Sequence, residues 1–225
     1  MSDIIDRFDY YLLFIDLETT TSSPFTGWVH EIGAKIYNPR TRKCIDELLI
    51  SHIGAIPEQR SHKTYTKDAL DVSYTKIEEI SPGELNIFEA IIQIHNWIKK
   101  NNIDIGKCIL SSWGSFDYWF LASMYYDIKM ANSHKYEEIW NYRHIPYYWR
   151  HLDISSMARG YLTSITSASL TSSLERVCNY LGLKDQIEEA GLTHHSALDD
   201  ATMCLYIYEE LTSRMNKLGD IRTNE

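Results

Sequence analysis

Asp16 and Glu18 stand two residues apart at the end of an aromatic and aliphatic run, residues 10–17 (YYLLFIDL). In an extended strand, side chains at i and i+2 share a face. Two carboxylates held side by side repel each other, and one takes up a proton unless positive charge lies between them. A divalent cation supplies that charge. Alone, Asp-x-Glu is a weak pattern, and an exposed acidic pair at a strand end fits it too. A further acid, Asp117, sits among Trp113, Phe116, Tyr118, Trp119 and Phe120. It falls near the start of a helix that follows a strand, where a carboxylate complements the helix dipole. Its aromatic surroundings demand a partner for an ionised acid. The third feature, residues 193–201 (THHSALDDA), pairs His194 with Asp199 and His195 with Asp200. Ser196 suits the N-cap of the last helix, which makes Asp199 the residue that reaches back in a capping box. Asp199 then has a structural job, and Asp200 is left for a ligand role. His195 falls just outside the helix, and a neutral imidazole there accepts a proton near physiological pH.

The elements that must position these residues follow from hydrophobic period and turn chemistry. Residues 10–17 read as a buried strand, 28–37 as a second and 43–51 as a third, with a turn at 38–41. Residues 52–83 are polar and irregular. Residues 85–99 carry Ile87, Phe88, Ile91, Ile92, Ile94 and Ile98 at helical spacing, closed by Asn101 and Asn102. A strand at 107–111 precedes a helix at 115–126. A short strand at 151–154 leads into a helix through Arg159. An amphipathic helix spans 169–181 and is closed by Gly182, and the last helix runs over 196–218. Three adjacent antiparallel strands, then strands alternating with helices, predict an α/β sandwich with a mixed sheet.

The chain has 225 residues and carries no internal repeat or low-complexity linker. At about 150 residues per domain this predicts a single domain. Its core spans about 10–211, with an aromatic and basic insert at 134–150 and a short C-terminal tail. The net charge of −9 argues against a protein that grips duplex DNA through a broad basic surface. It leaves room for a nucleic-acid enzyme whose site is built from carboxylates around metal ions. The 4 cysteines form no CxxC motif and read as reduced thiols in a cytoplasmic setting. No apolar run is long enough for a signal peptide or a membrane span.

Taken in order, residues 14–20 (FIDLETT), Asp117 in its strand-to-helix setting and residues 195–201 (HSALDDA) resemble the DEDDh exonuclease family. The resemblance spans roughly 10–211. It implies an RNase H-like fold, a mixed five-stranded sheet flanked by helices. It also implies 3′-to-5′ hydrolysis of single-stranded ends with two Mg²⁺ or Mn²⁺ ions. Asp16, Glu18, Asp117 and Asp200 match the family's metal-binding acids, and His195 matches its general base. Such ions, about 4 Å apart, clamp the attacking and leaving oxygens of a phosphodiester, and hard cations take carboxylate ligands. The resemblance also puts Thr19 and Thr20 near the terminal 3′ hydroxyl. Trp113 and Phe116, with Tyr118, are candidates for base stacking.

The form Trp113-Gly114-x-x-Asp117 is similar to a branch of small exoribonucleases, which tilts the expectation toward RNA. The implied partners are single-stranded RNA or DNA 3′ ends, with no membrane. Oligomeric state is left open by the sequence, a homodimer being one option by analogy with relatives. The rival expectations are a DNA proofreading or repair exonuclease and a non-catalytic nucleic-acid-binding protein on the same fold. The insert reads either as a single-strand platform or as an irregular packed segment. Lys63 and Lys67 read either as phosphate contacts or as solvated surface.

Overall fold

The computed structural model describes residues 10–55, 63–73, 76, 85–130, 147, 150–165 and 173–222. Its centre is a five-stranded mixed sheet of β1 (Tyr11–Thr19), β2 (Val29–Asn38), β3 (Lys43–Ile50), β6 (Cys108–Ser112) and β7 (His151–Asp153). The strand order is β3-β2-β1-β6-β7. The first three strands are antiparallel, and β1, β6 and β7 run parallel. The expected architecture is therefore present.

β1 is covered on both faces, which is why residues 11–15 are apolar without a break. Leu13, Ile15 and Leu17 belong to a core with α2 (Ile87–Lys100) and α3 (Phe116–Met130). Leu12 and Phe14 belong to a second core with α4 (Ile154–Ile165), α5 (Leu174–Leu181) and α7 (Ala197–Arg222). Each such Leu, Ile or Phe contributes roughly 1.5–3 kcal/mol by leaving water. The strand's period of two then puts Asp16 and Glu18 on the Leu12 and Phe14 side, toward α7.

Local signals set the helix ends. α2 begins at a complete capping box, Asn86 with Glu89. α5 begins after Ser173, whose hydroxyl accepts the N–H of Arg176, and ends at Gly182 in the left-handed region, φ 78°. The helix expected from residue 169 thus starts at Leu174, and residues 169–172 lie outside the described ones. The helix expected to stop at Arg159 continues to Ile165. The stretch read as irregular, 52–83, contains α1 (Lys67–Val72), N-capped by Thr66, and β4 (Ile53–Gly54), which pairs with β5 (Leu85–Asn86). A short α6 (Lys184–Glu189) was also not expected. The insert at 134–150 lies outside the described residues except Tyr147 and Arg150. Tyr147 is buried, and its hydroxyl accepts a hydrogen bond from Tyr125 at 3.3 Å. Cys108, Cys178 and Cys204 are buried free thiols, and Cys44 is exposed. Among the described residues no helix is long and apolar enough to cross a membrane.

Candidate active site

Asp16 and Glu18 stand half-buried near the C-terminal end of β1, and Leu17 between them points into the core. Asp16 faces Gly33 and Glu18 faces Glu31 across the antiparallel ladder, and the register shifts just after Glu18. α3 brings Asp117 to the same strand end. Its carboxylate is buried, and Oδ1 accepts the backbone N–H of Leu17 at 3.1 Å. The partner that its apolar setting demands is therefore the main chain between the two other acids.

Asp200 arrives from the opposite face, in the first turn of α7, and is also buried. Its Oδ2 accepts the N–H of His195 at 3.1 Å. Its Oδ1 has no hydrogen-bond partner among the described residues. His194 Nδ1 lies 3.4 Å from that oxygen, an attraction of charge when the ring is protonated, outside hydrogen-bond geometry. Asp199 departs from expectation. Its Oδ2 accepts both the N–H and the hydroxyl of Thr193, at 3.0 Å each, and closes the turn before the helix. It makes no capping box, because its acceptor oxygen is turned to Thr193 and away from the Ser196 N–H, while the free N–H of Ala197 is accepted by Glu31 Oε1, at 3.0 Å. Local capping rules do not see an acceptor from another strand. Glu31 was missed, and its only sequence signal is that it is the one acid in β2.

These carboxylates share one electrostatic neighbourhood. Burial, and then the charges of Asp117, Asp200, Glu18 and Glu31, hold Asp16 well above the usual carboxylate range. Glu18 is pushed up to about 7 by burial, then by Asp200, Glu31 and Asp117. Burial also pushes Asp117 up to about 7, against the pull of the Leu17 N–H, its own N–H and the Ser112 hydroxyl. Asp200 is raised by burial, while the His195 N–H and the two histidines pull it down. A set of acids that raise one another, with one buried oxygen left unsatisfied, is a donor set suited to a hard divalent cation. Among the described residues, Glu18, His195 and Asp200 can each bring a ligand atom within 4.8 Å of the others. His195 itself is exposed and lies in the left-handed region, φ 66°.

The expected substrate contacts divide. Thr20 is fully buried and used up. Its hydroxyl donates to the Thr64 carbonyl at 2.8 Å and accepts the Trp28 N–H at 3.0 Å, and its own N–H donates to the Trp28 carbonyl at 3.0 Å. It is a staple that closes the loop after the bulge, because the chain leaving the ladder needs new partners. Thr19 is buried and donates its hydroxyl to the Thr21 carbonyl at 2.8 Å. Trp113 is half-buried against the second core. Phe116 is 40% exposed beside Asp117, with its ring 4.8 Å from that of Phe120. Phe25 and Trp119, not singled out in the sequence, are exposed aromatics on the loop after β1 and on α3. Lys63 is not a surface lysine: its ammonium is buried against Asp127 at 3.1 Å and the Pro24 carbonyl at 3.1 Å. Lys67 is exposed.

A family model described as Exonuclease, of the RNase T type, matches residues 13–208. No curated protein sequence matches the chain. Among solved structures, E. coli Exonuclease I in complex with a dT13 oligonucleotide has a TM-score of 0.65 at 14% identity, over 95% of this chain and 43% of that one. Cell-death related nuclease 4 has a TM-score of 0.62 at 16% identity, over 91% of this chain and 64% of that one. The nuclease domain of 3′hExo, a DEDDh family member bound to rAMP, has a TM-score of 0.59 at 15% identity, over 92% and 94%. At such identities the structures speak for the fold alone, and the chain spans less than half the length of Exonuclease I. With the family model running from β1 into the last helix, the chain belongs to the exonuclease family of the RNase T type.

Proposed function

We propose that the protein removes nucleotides from the 3′ end of single-stranded nucleic acid. In this reading residues 10–211 work as one catalytic unit. Asp16, Glu18, Asp117 and Asp200 hold two Mg²⁺ or Mn²⁺ ions, and His195 is the general base. The observation that carries the reading is the convergence of four raised carboxylates at the end of β1, one with a buried oxygen that has no hydrogen-bond partner among the described residues, beside an exposed imidazole. When bound, the ions offset negative charge on the phosphoryl group and on the leaving oxygen. Asp117 anchors its place by accepting the Leu17 N–H, so α3 cannot drift from β1 without losing a buried bond. Asp200 accepts the His195 N–H, so one residue sets both a ligand and the turn that carries the base. His195 is exposed, as a group that takes a proton from solvent-borne water has to be. Such acid–base help is typically worth about 10²- to 10⁴-fold in rate.

Phe116 offers a face on which a terminal base stacks, and RNA is preferred on the Trp-Gly-x-x-Asp pattern at 113–117. DNA is the second reading, favoured by the fold's likeness to Exonuclease I, whose structures are complexes with DNA oligonucleotides. Incubation with 5′-labelled single-stranded RNA and DNA separates the two. A ladder shortening from the 3′ end in Mg²⁺ or Mn²⁺, abolished by EDTA, is expected. Equal cutting of circular substrates would overturn the end-specific reading.

A further inference from the structure

We infer that Glu31 is a positioning residue that fixes the reactive end of α7 on the sheet, by accepting the N–H of Ala197. The first N–H groups of a helix have no partner inside it. A side-chain cap from Ser196 would serve the second or third helical N–H, and the first, that of Ala197, donates to Glu31, 166 positions away in the chain. The other carboxylate oxygen, Oε2, accepts the Ser51 hydroxyl at 3.0 Å. Glu31 is thus held from one side by the end of β3 and holds α7 with the other. With both oxygens engaged, it differs from Asp200, whose Oδ1 is left over for a ligand.

Gly33 completes the seat. A Cβ at that position would lie 2.1 Å from the Ala197 carbonyl carbon and 2.1 Å from the Leu198 nitrogen, so the first turn of α7 rests on bare β2 backbone. Glu31 and Gly33 are the cross-strand partners of Glu18 and Asp16. The strand that pairs with the two β1 acids therefore also carries the helix that delivers Asp200 and the His195 turn. A fifth carboxylate adds to the repulsion felt by Asp16 and Glu18. Its position is explained by its reach to the Ala197 N–H and not by its charge.

Reach and charge can be separated. Glu31→Gln keeps the length and an acceptor oxygen but removes the charge, whereas Glu31→Asp keeps the charge and withdraws the oxygen by one methylene. The functional arm rests on the nuclease reading, and the amide-exchange arm does not. In NMR exchange, the Ala197 amide of Glu31→Asp is expected to exchange about fivefold faster than in the wild type, as for a lost cap. In Glu31→Gln it stays protected. With a 5′-labelled oligonucleotide in Mg²⁺, Glu31→Asp is expected to lose about tenfold or more in kcat with KM little changed, as for a misplaced reacting group. Glu31→Gln retains kcat within about threefold. The inference is overturned if Glu31→Asp leaves both readouts unchanged, or if Glu31→Gln is impaired as severely as Glu31→Asp. If the wild type cuts no substrate, the nuclease reading fails, and the exchange pattern still decides whether Glu31 caps α7.

Discussion

Asp117 and Leu17 are joined by a 3.1 Å hydrogen bond from a backbone N–H to a buried carboxylate, across 100 positions of sequence. The bond ties the first turn of α3 to the peptide between Asp16 and Glu18. Asp117 therefore has two separable duties, as acceptor and as charge. Asp117→Asn can keep the accepting oxygen, so its melting temperature is expected to stay close to the wild type while nuclease activity falls by at least about 10²-fold. Asp117→Ala loses both and is expected to be less stable by about 1–3 kcal/mol, the desolvation cost of an orphaned buried N–H. Thermal melts beside gel assays test the split.

Asp199 and Asp200 are adjacent but do different work. Asp200→Ala is expected to fold and to be inactive, because it removes Oδ1, which has no hydrogen-bond partner among the described residues, together with the Oδ2 that accepts the His195 N–H. Asp199→Ala opens the turn at Thr193 and is expected to lose about 0.5–1.5 kcal/mol of stability while remaining active. An active Asp200→Ala with an inactive Asp199→Ala would reverse the assignment.

The raised carboxylates give a pH signature. Glu18 and Asp117 bind protons more tightly in the folded chain, near 7, than their ordinary values of 4.5 and 3.8. Between those values these two groups hold more protons in the folded state than in the unfolded one, so their contribution to metal-free stability falls as pH rises through this window. Binding a divalent cation requires these groups ionised and releases their protons. In EDTA, the melting temperature of the wild type relative to a Glu18→Gln, Asp117→Asn double variant is expected to be lower at pH 8 than at pH 5, a comparison that cancels the opposite trend of the buried His30 and His95, which burial holds down to about 4. Added Mg²⁺ or Mn²⁺ is expected to raise the wild-type melting temperature more at pH 8. A metal-induced shift that is larger at pH 5 would contradict this picture.

Phe116 tests substrate grip apart from chemistry. Phe116→Ala is expected to raise KM roughly tenfold, as for the loss of one stacked base, with kcat little changed. Steady-state kinetics on short oligonucleotides measure it.

The expected sheet and the face shared by Asp16 and Glu18 were legible because strand period and side-chain direction are local properties. α1 and α6 were not, since each spans 6 residues and carries no apolar stripe. Glu31 was not, since its function comes from strand register and from a helix that begins far along the chain. Local capping logic at Ser196 assigned Asp199 the Ser196 N–H, whereas its oxygen is taken by Thr193, six positions back and before the helix. Thr20 shows the converse: beside the acids in sequence, its hydroxyl is committed to the loop at Thr64 and Trp28.

The bare contact at Gly33 has a mechanical meaning. Where main chain rests on main chain there is no flexible side chain to absorb displacement, so any shift of the second strand is passed on to the last helix. The main-chain positions of residues 16 and 200 are then coupled through a contact that holds no rotatable side chain.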